Sequence, residues 1–184
     1  MLIANKLKKT NRAEYLLYMW QVEDVIRAYG VDEERIAKEY VSRFTANEKD
    51  LKEMAQWYAD LCEMMRSEGK SKAGHLQICK NVLQELEELH NQLVKSTKFP
   101  YYREMYYKVL PFIVELRTKG QKETPDNSEL DICFSFLYGV MMLRLQHKPI
   151  SDETEKAVKA ISTLLGQLSD YYFKDKQEPI DFEE

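Results

Sequence analysis

Residues 14–29 read EYLLYMWQVEDVIRAY, and this stretch decides how the rest of the chain folds. It is too long for a typical strand and contains neither glycine nor proline before Gly30, so it predicts an α-helix. Its apolar and aromatic side chains lie on three sides of that helix rather than along one stripe. Because a helix of this kind is normally covered on most sides, we place it at the centre of a helical domain.

A second stretch, residues 130–145, is also apolar all round and reads LDICFSFLYGVMMLRL. Asp131, Ser135 and Gly139 are spaced by four, so they share one narrow strip of the predicted helix. The small Ser135 and Gly139 would let another helix come close there. Two interpretations stay open for this helix: tight packing inside the bundle and an interface between subunits.

The remaining chain repeats a pattern of amphipathic helix, short polar break and amphipathic helix, with no convincing strand and no fixed-period repeat. The sequence therefore predicts an all-α fold, an irregular bundle of about seven helices with the first and sixth helices central. Residues 1–173 are expected to form a single helical-bundle domain, and residues 174–184 an acidic flexible tail. Residues 118–127 are the most loop-like internal stretch, and we expect a mobile connection there.

Composition argues against several classes of function. The formal net charge is −4 over 184 residues, and the only basic run is Lys6, Lys8 and Lys9, so we expect no nucleic-acid partner. No apolar run approaches the ~18–20 residues that span a bilayer, and the N-terminus lacks the apolar core of a signal peptide, so we expect no membrane association. The three widely spaced cysteines indicate buried free thiols in a reducing compartment, which favours a cytoplasmic protein.

Metal and catalytic motifs are incomplete. Glu87 and His90 have the spacing of half a di-iron site, but the second such pair is absent. His75 and Cys79 lie four residues apart, and a zinc site would need two more ligands. The sequence has no phosphate-binding glycine loop and no recognised catalytic motif. We therefore expect no metal and no cofactor, and we lean towards a protein that is not an enzyme.

Ionisable residues on the first helix are the most interesting polar feature. Arg27 follows Glu23 by four residues and Asp24 by three, which is the spacing of local ion pairs. The alternative is that these groups line a ligand pocket, with tyrosines whose rings could stack on a flat ligand. The candidate ligand-binding residues are Trp20, Glu23, Asp24, Arg27, His75, Tyr102 and Tyr106.

Residues 13–28, AEYLLYMWQVEDVIRA, together with a helical body of this length, resemble a family of short bacterial proteins, chiefly from Bacteroidetes, that is known only as a domain of unknown function. The segment 18–24, YMWQVED, is the most distinctive part, and the similarity covers nearly the whole chain. The resemblance implies an all-α fold and a bacterial cytoplasmic protein. It implies no activity, ligand or catalytic residue.

Two hypotheses for the function follow. The first is a non-catalytic helical bundle that acts through an unknown protein partner or as a homo-oligomer, because two helices are apolar all round and no catalytic constellation is present. The second is a bundle that encloses a small-molecule pocket near the first helix, with phosphate chemistry as one form of it, because ionisable groups cluster on an otherwise apolar helix.

Overall fold

The structure is a computed structural model that describes residues 2–119 and 128–182. Within these residues the chain is all-α, as predicted, with eight α-helices where about seven were expected. The additional helix covers residues 2–10. In chain order the helices are α1 (Leu2–Thr10), α2 (Arg12–Ala28), α3 (Glu33–Glu39), a 3-10 turn (Val41–Arg43), α4 (Glu48–Ser67), α5 (Gln77–Lys95), α6 (Pro100–Lys119), α7 (Glu129–Leu145) and α8 (Asp152–Gln177).

Local sequence signals set several of the helix ends. The side chains of four residues accept a hydrogen bond from a backbone N–H in the first turn that follows them: Asp32, Asn47, Ser128 and Ser151. Gly30 ends α2 with a φ of +76°, which glycine adopts without steric cost, and the N–H of Val31 then donates to the carbonyl of Ile26.

The chain divides into two compact units, each held together mainly by packing within itself. Unit 1 consists of residues 1–10 and 14–82, and unit 2 of residues 11–13 and 83–184. The expectation of a single domain over residues 1–173 stays a prediction.

Unit 1 contains α1, nearly all of α2, and the elements from α3 to the start of α5. Helix α3 packs against α4 and against the 3-10 turn. Arg66 near the end of α4 fixes this arrangement, because it donates to the carbonyl of Val31 at 2.9 Å and pairs with Glu33 at 2.8 Å. Helix α2 exposes only Glu14, Asp24 and Ala28, so the prediction that it is covered on most sides is confirmed.

Unit 2 contains most of α5 together with α6, α7 and α8. Helix α6 packs against α7 and α8, and α7 also packs against α8. Helix α7 contacts both of the other helices, as α6 and α8 also do, but only one of its faces is fully buried. That face consists of Leu130, Cys133, Phe134 and Val140. The central position expected for α7 stays a prediction.

The two segments predicted as mobile are described only in part. Thr118 and Lys119 belong to α6, and residues 120–127 of the expected connection lie outside the described residues. Helix α8 extends to Gln177, past the expected start of the tail. Beyond it, Asp181 pairs with Lys98 at 2.8 Å, and the rings of Phe182 and Phe99 lie 5.6 Å apart. Flexibility of residues 174–184 stays a prediction.

None of the helices in residues 2–119 and 128–182 combines the length and the apolar character that crossing a bilayer requires.

Candidate functional sites

Five of the seven candidate residues come together in unit 1. Trp20, Glu23, Asp24 and Arg27 follow one another at helical spacing along α2, and His75 lies just before α5. The elements that meet here are therefore the second half of α2 and the connection between α4 and α5. We call these five residues the Glu23 cluster.

Glu23 is the centre of this cluster, and its side chain is completely buried. Its Oε2 lies 2.6 Å from Nδ1 of His75, and its Oε1 accepts the backbone N–H of Leu76 at 2.8 Å. Glu68 accepts the next N–H, that of Gln77, at 2.7 Å. Two carboxylates thus take up N–H groups at the start of α5, where the helix dipole also favours negative charge.

Arg27 fastens the same connection from its other end. Its guanidinium donates to the carbonyl oxygens of Lys70, at 3.3 Å, and of Gly74. It also pairs with Asp24 at 2.8 Å and lies 4.0 Å from the Glu23 carboxylate. The predicted local ion pairs are therefore present, and the same arginine holds a loop more than forty residues away in sequence.

Trp20 completes the cluster by stacking on His75, with ring centroids 4.2 Å apart and planes 14° from parallel. The His75 side chain is 37% exposed, so the imidazole is fixed by Trp20 and Glu23 while part of it reaches solvent. A carboxylate that orients an imidazole can support proton transfer. The Cys79 thiol, four residues further along the chain, is buried. Burial is the main cause that raises the pKa of this thiol and the nearby Glu23 carboxylate is the second, so it stays in the unreactive protonated form.

The other two candidates, Tyr102 and Tyr106, lie in unit 2 around His90. The Tyr102 hydroxyl is 2.7 Å from Nδ1 of His90, and the Tyr106 ring packs edge-on at 5.2 Å from the imidazole. Burial lowers the pKa of His90 and raises the pKa of Tyr102. Burial, together with a hydrogen bond to Glu129, raises the pKa of Tyr106 to about 12. This arrangement is a buried polar contact between neutral groups.

Metal-ligating side chains do not converge in the part of the chain that the structure describes, where no group of three or more histidine, cysteine, aspartate or glutamate residues could hold an ion. Glu87 instead accepts a hydrogen bond from the Ser128 hydroxyl. All three cysteines are buried, as predicted.

Sequence reasoning missed Glu68 and the carbonyl acceptors of the connection. One signal could have indicated them. No serine, threonine, asparagine or aspartate stands in residues 73–76, directly before α5, so the cap of this helix has to come from elsewhere in the chain.

A different kind of surface runs along α7. On the side opposite its buried face lie six residues that we call the α7 strip: Ile132, Ser135, Phe136, Gly139, Met142 and Leu143. Ser135, Gly139 and Leu143 are exposed, and the other three are half-buried. A Cβ added to Gly139 would meet no atom within 4 Å, so the middle of the strip is open.

A groove of about 470 Å³ adjoins this strip. Its apolar wall includes Phe112 and Leu116 of α6 and Phe136 of α7, and its rim includes Lys119 and Lys156. Phe136 therefore belongs both to the groove and to the α7 strip.

The family model for a domain of unknown function, DUF4924, matches residues 1–179 of this chain. The chain belongs to this family. The resemblance of residues 13–28 to a family of unknown function is thereby confirmed, and the DUF4924 match covers both units. No curated protein and no solved structure matches the chain. Bacterial origin and the cytoplasm stay predictions.

Proposed function

We propose that this protein acts by binding another protein through the α7 strip. The observation that carries the proposal is the exposure of α7. Its sequence has no polar face, yet the fold of unit 2 buries only one side of it. The uncovered side combines the exposed Ser135, Gly139 and Leu143 with apolar side chains that are only half-buried, and apolar surface that stays partly open on a folded protein is one mark of an interaction site.

Helix α8 of the same unit provides the comparison. Every exposed residue of α8 is polar or charged, which is the usual pattern of a helix at the surface. The exposed residues of α7 are Ser135, Gly139 and Leu143 within the strip, and Arg144 and Leu145 outside it at the end of the helix. The two helices belong to the same unit and pack against each other, and they differ in the kind of side chain that they leave exposed.

The Glu23 cluster supports the small-molecule hypothesis less well than the α7 strip supports the binding of a protein. Both oxygens of Glu23 contact groups of the α4–α5 connection, and Arg27 bonds to two of its carbonyls. These contacts account for the buried charges without a ligand, because buried charges require partners. The cluster is best explained as the fastening of this connection to α2.

The test is an affinity purification with the tagged full-length chain as bait, in an extract that also contains an untagged copy. Gly139→Arg places a long charged side chain in the middle of the strip, at an exposed position where an added Cβ meets no atom within 4 Å. Gly166→Arg on α8 is the matched control, because a Cβ there also meets nothing within 4 Å. Circular dichroism of both variants confirms that they fold.

We expect the wild type and Gly166→Arg to retain the same specific protein and Gly139→Arg to lose it. Equal recovery by all three baits, or no recovery by any, would overturn the proposal.

A further inference from the structure

We propose that Nε2 of His75 accepts a phosphoryl group from a small phosphoryl donor such as phosphoramidate, which makes this residue a covalent modification site. The site lies in unit 1 and is independent of the α7 strip. The contacts that fasten the α4–α5 connection use only Nδ1 of the imidazole. Three observations support a role for the second ring nitrogen: the position of the ring proton, the fixed orientation of the ring and the cations beside it.

Glu23 determines which ring nitrogen of His75 carries the proton. An ionised carboxylate only accepts hydrogen bonds, and Oε2 of Glu23 lies 2.6 Å from Nδ1 of His75. In the neutral imidazole, Nδ1 therefore holds the proton and Nε2 holds the lone pair. The two nitrogens point in divergent directions, so Nε2 is directed away from the buried carboxylate. Among residues 2–119 and 128–182, none forms a hydrogen bond with Nε2.

The imidazole of His75 is held in place without being enclosed. Glu23 is fully buried and its Oε1 accepts the N–H of Leu76 at 2.8 Å, which fixes the carboxylate that holds the ring. Trp20 covers one face of the ring, with centroids 4.2 Å apart. The side chain of His75 is nevertheless 37% exposed, so a small reagent can reach it. A nucleophile oriented in this way loses little freedom when it reacts.

The cations beside His75 favour an anionic reagent. The side chain of Lys70 runs along Gly74, and its Nζ lies 3.6 Å from the position of a Cβ added there. Lys70 forms no ion pair with any residue that the structure describes. The Arg27 guanidinium donates to the carbonyl of Gly74. The nearby carboxylates face the start of α5 and accept its N–H groups. Positive charge next to a nucleophile stabilises the oxygens of a phosphoryl group during its transfer.

The transfer needs no proton to leave Nε2. The lone pair of Nε2 attacks phosphorus and forms an N–P bond, while the P–N bond of phosphoramidate breaks and ammonia leaves with the bonding electrons. The proton on Nδ1 stays there, so the ring becomes positively charged. The carboxylate of Glu23 stabilises this charge through its contact with Nδ1. The product is a phosphohistidine at residue 75.

The experiment incubates the full-length chain with phosphoramidate and measures the rate of modification at each histidine by mass spectrometry of peptides kept under alkaline conditions. The chain has three histidines, which provide internal controls. His147 is exposed, and none of the described residues holds its ring; His90 is buried. We expect His75 to react about tenfold faster than His147, although it is less exposed, and His90 to stay unmodified.

The variant Glu23→Gln tests the part played by the carboxylate, because glutamine has no charge to stabilise the modified ring. We expect the rate at His75 to fall about tenfold, towards the rate at His147. A purely structural role of Glu23 predicts the opposite sign, since a loosened connection would expose His75 and raise its modification. Absence of modification at the buried His90 confirms that the variant stays folded.

The variant Lys70→Gln tests the preference for a phosphoryl group. We expect it to slow the reaction of His75 with phosphoramidate about threefold, the effect of one partly screened charge. Lys72→Gln, at an exposed position two residues further along, is the matched control and should leave the rate unchanged. With diethylpyrocarbonate, a neutral reagent that also attacks imidazole, both variants should react like the wild type.

Three outcomes would overturn the proposal. Rates that follow exposure, with His147 ahead of His75, would mean that Glu23 does not activate the ring. A preference for His75 with diethylpyrocarbonate but not with phosphoramidate would mean an exposed nucleophile without a phosphoryl site. Faster modification in Glu23→Gln would leave only the structural role. None of these results changes the binding test at Gly139, so the two proposals fail separately.

Discussion

Helices α2 and α7 have similar sequences in one respect: each is apolar on nearly every side. In the structure they differ. Helix α2 exposes only Glu14, Asp24 and Ala28, whereas α7 leaves a line of apolar and small residues open from Ile132 to Leu143. Apolar character around a helix therefore predicts that something covers it, but not whether the cover is the same chain.

The polar residues within each helix explain the difference. Glu23 and Arg27 on α2 contact His75, Leu76, Lys70 and Gly74, all 43 or more residues further along the chain. Charges on an apolar helix thus mark the place where another segment of the chain docks. The α7 strip has no such charge, and its only polar side chain is the small hydroxyl of Ser135.

The largest expected change in the free energy of unfolding comes from removing the buried carboxylate of Glu23 on α2. Glu23→Ala leaves the N–H of Leu76 and the His75 imidazole without their acceptor and Arg27 without its buried neighbour. Losing a buried charged partner of this kind costs about 3 kcal/mol of the free energy of unfolding. Urea denaturation followed by circular dichroism measures this loss.

Asp24→Ala is the matched control for that measurement. The Asp24 side chain is half exposed, and its ion pair with Arg27 lies at the surface. Its removal should therefore change the free energy of unfolding by less than about 0.5 kcal/mol. Equal losses for the two variants would mean that Glu23 does not fasten the α4–α5 connection.

A smaller effect, on how stability depends on pH, is expected from the buried His90. This histidine lies on the covered side of α7, beside the contact between Glu129 and Tyr106. Burial lowers the pKa of His90, so the folded chain favours the neutral imidazole. Below the unfolded pKa of about 6.5, the unfolded chain takes up a proton that the folded chain resists. The free energy of unfolding should therefore fall as the pH drops from 7 towards 5.

The slope of stability against pH in this window tests the assignment to His90. His90→Gln should flatten the slope, because glutamine does not titrate, and His147→Gln at an exposed position should leave it unchanged. An unchanged slope in His90→Gln would assign the pH dependence to other groups. Urea titrations at several pH values measure this slope, and the comparison does not depend on the absolute stability of each variant.

Local interactions explain what the sequence could predict. The caps at Asp32, Asn47, Ser128 and Ser151 act within three residues, and the ion pair of Asp24 with Arg27 lies within one turn of helix, so periodicity and spacing reveal them. The same reasoning predicted the all-α fold. It did not predict that residues 2–10 form a helix of their own.

Long-range contacts explain what the sequence could not predict. Glu23 and His75 are 52 residues apart, and no spacing rule joins them. Tyr102 and Tyr106 were grouped with the Glu23 cluster on ring chemistry alone, whereas their partner is His90. Whether the α7 strip is covered depends on how α6 and α8 pack, which the composition of α7 does not record.

The smallest expected effect is a gain in stability at Gly139, which tests whether the α7 strip is uncovered in the single chain. Gly139→Ala should raise the free energy of unfolding by about 0.5–1 kcal/mol, because alanine is the better helix former and the added methyl group meets no atom. Gly166→Ala on α8 should give the same gain for the same reason. Both are measured by urea denaturation of the purified chain at low protein concentration. A loss of stability at position 139 alone would mean that part of this chain already covers the strip, and α7 would then resemble α2 after all.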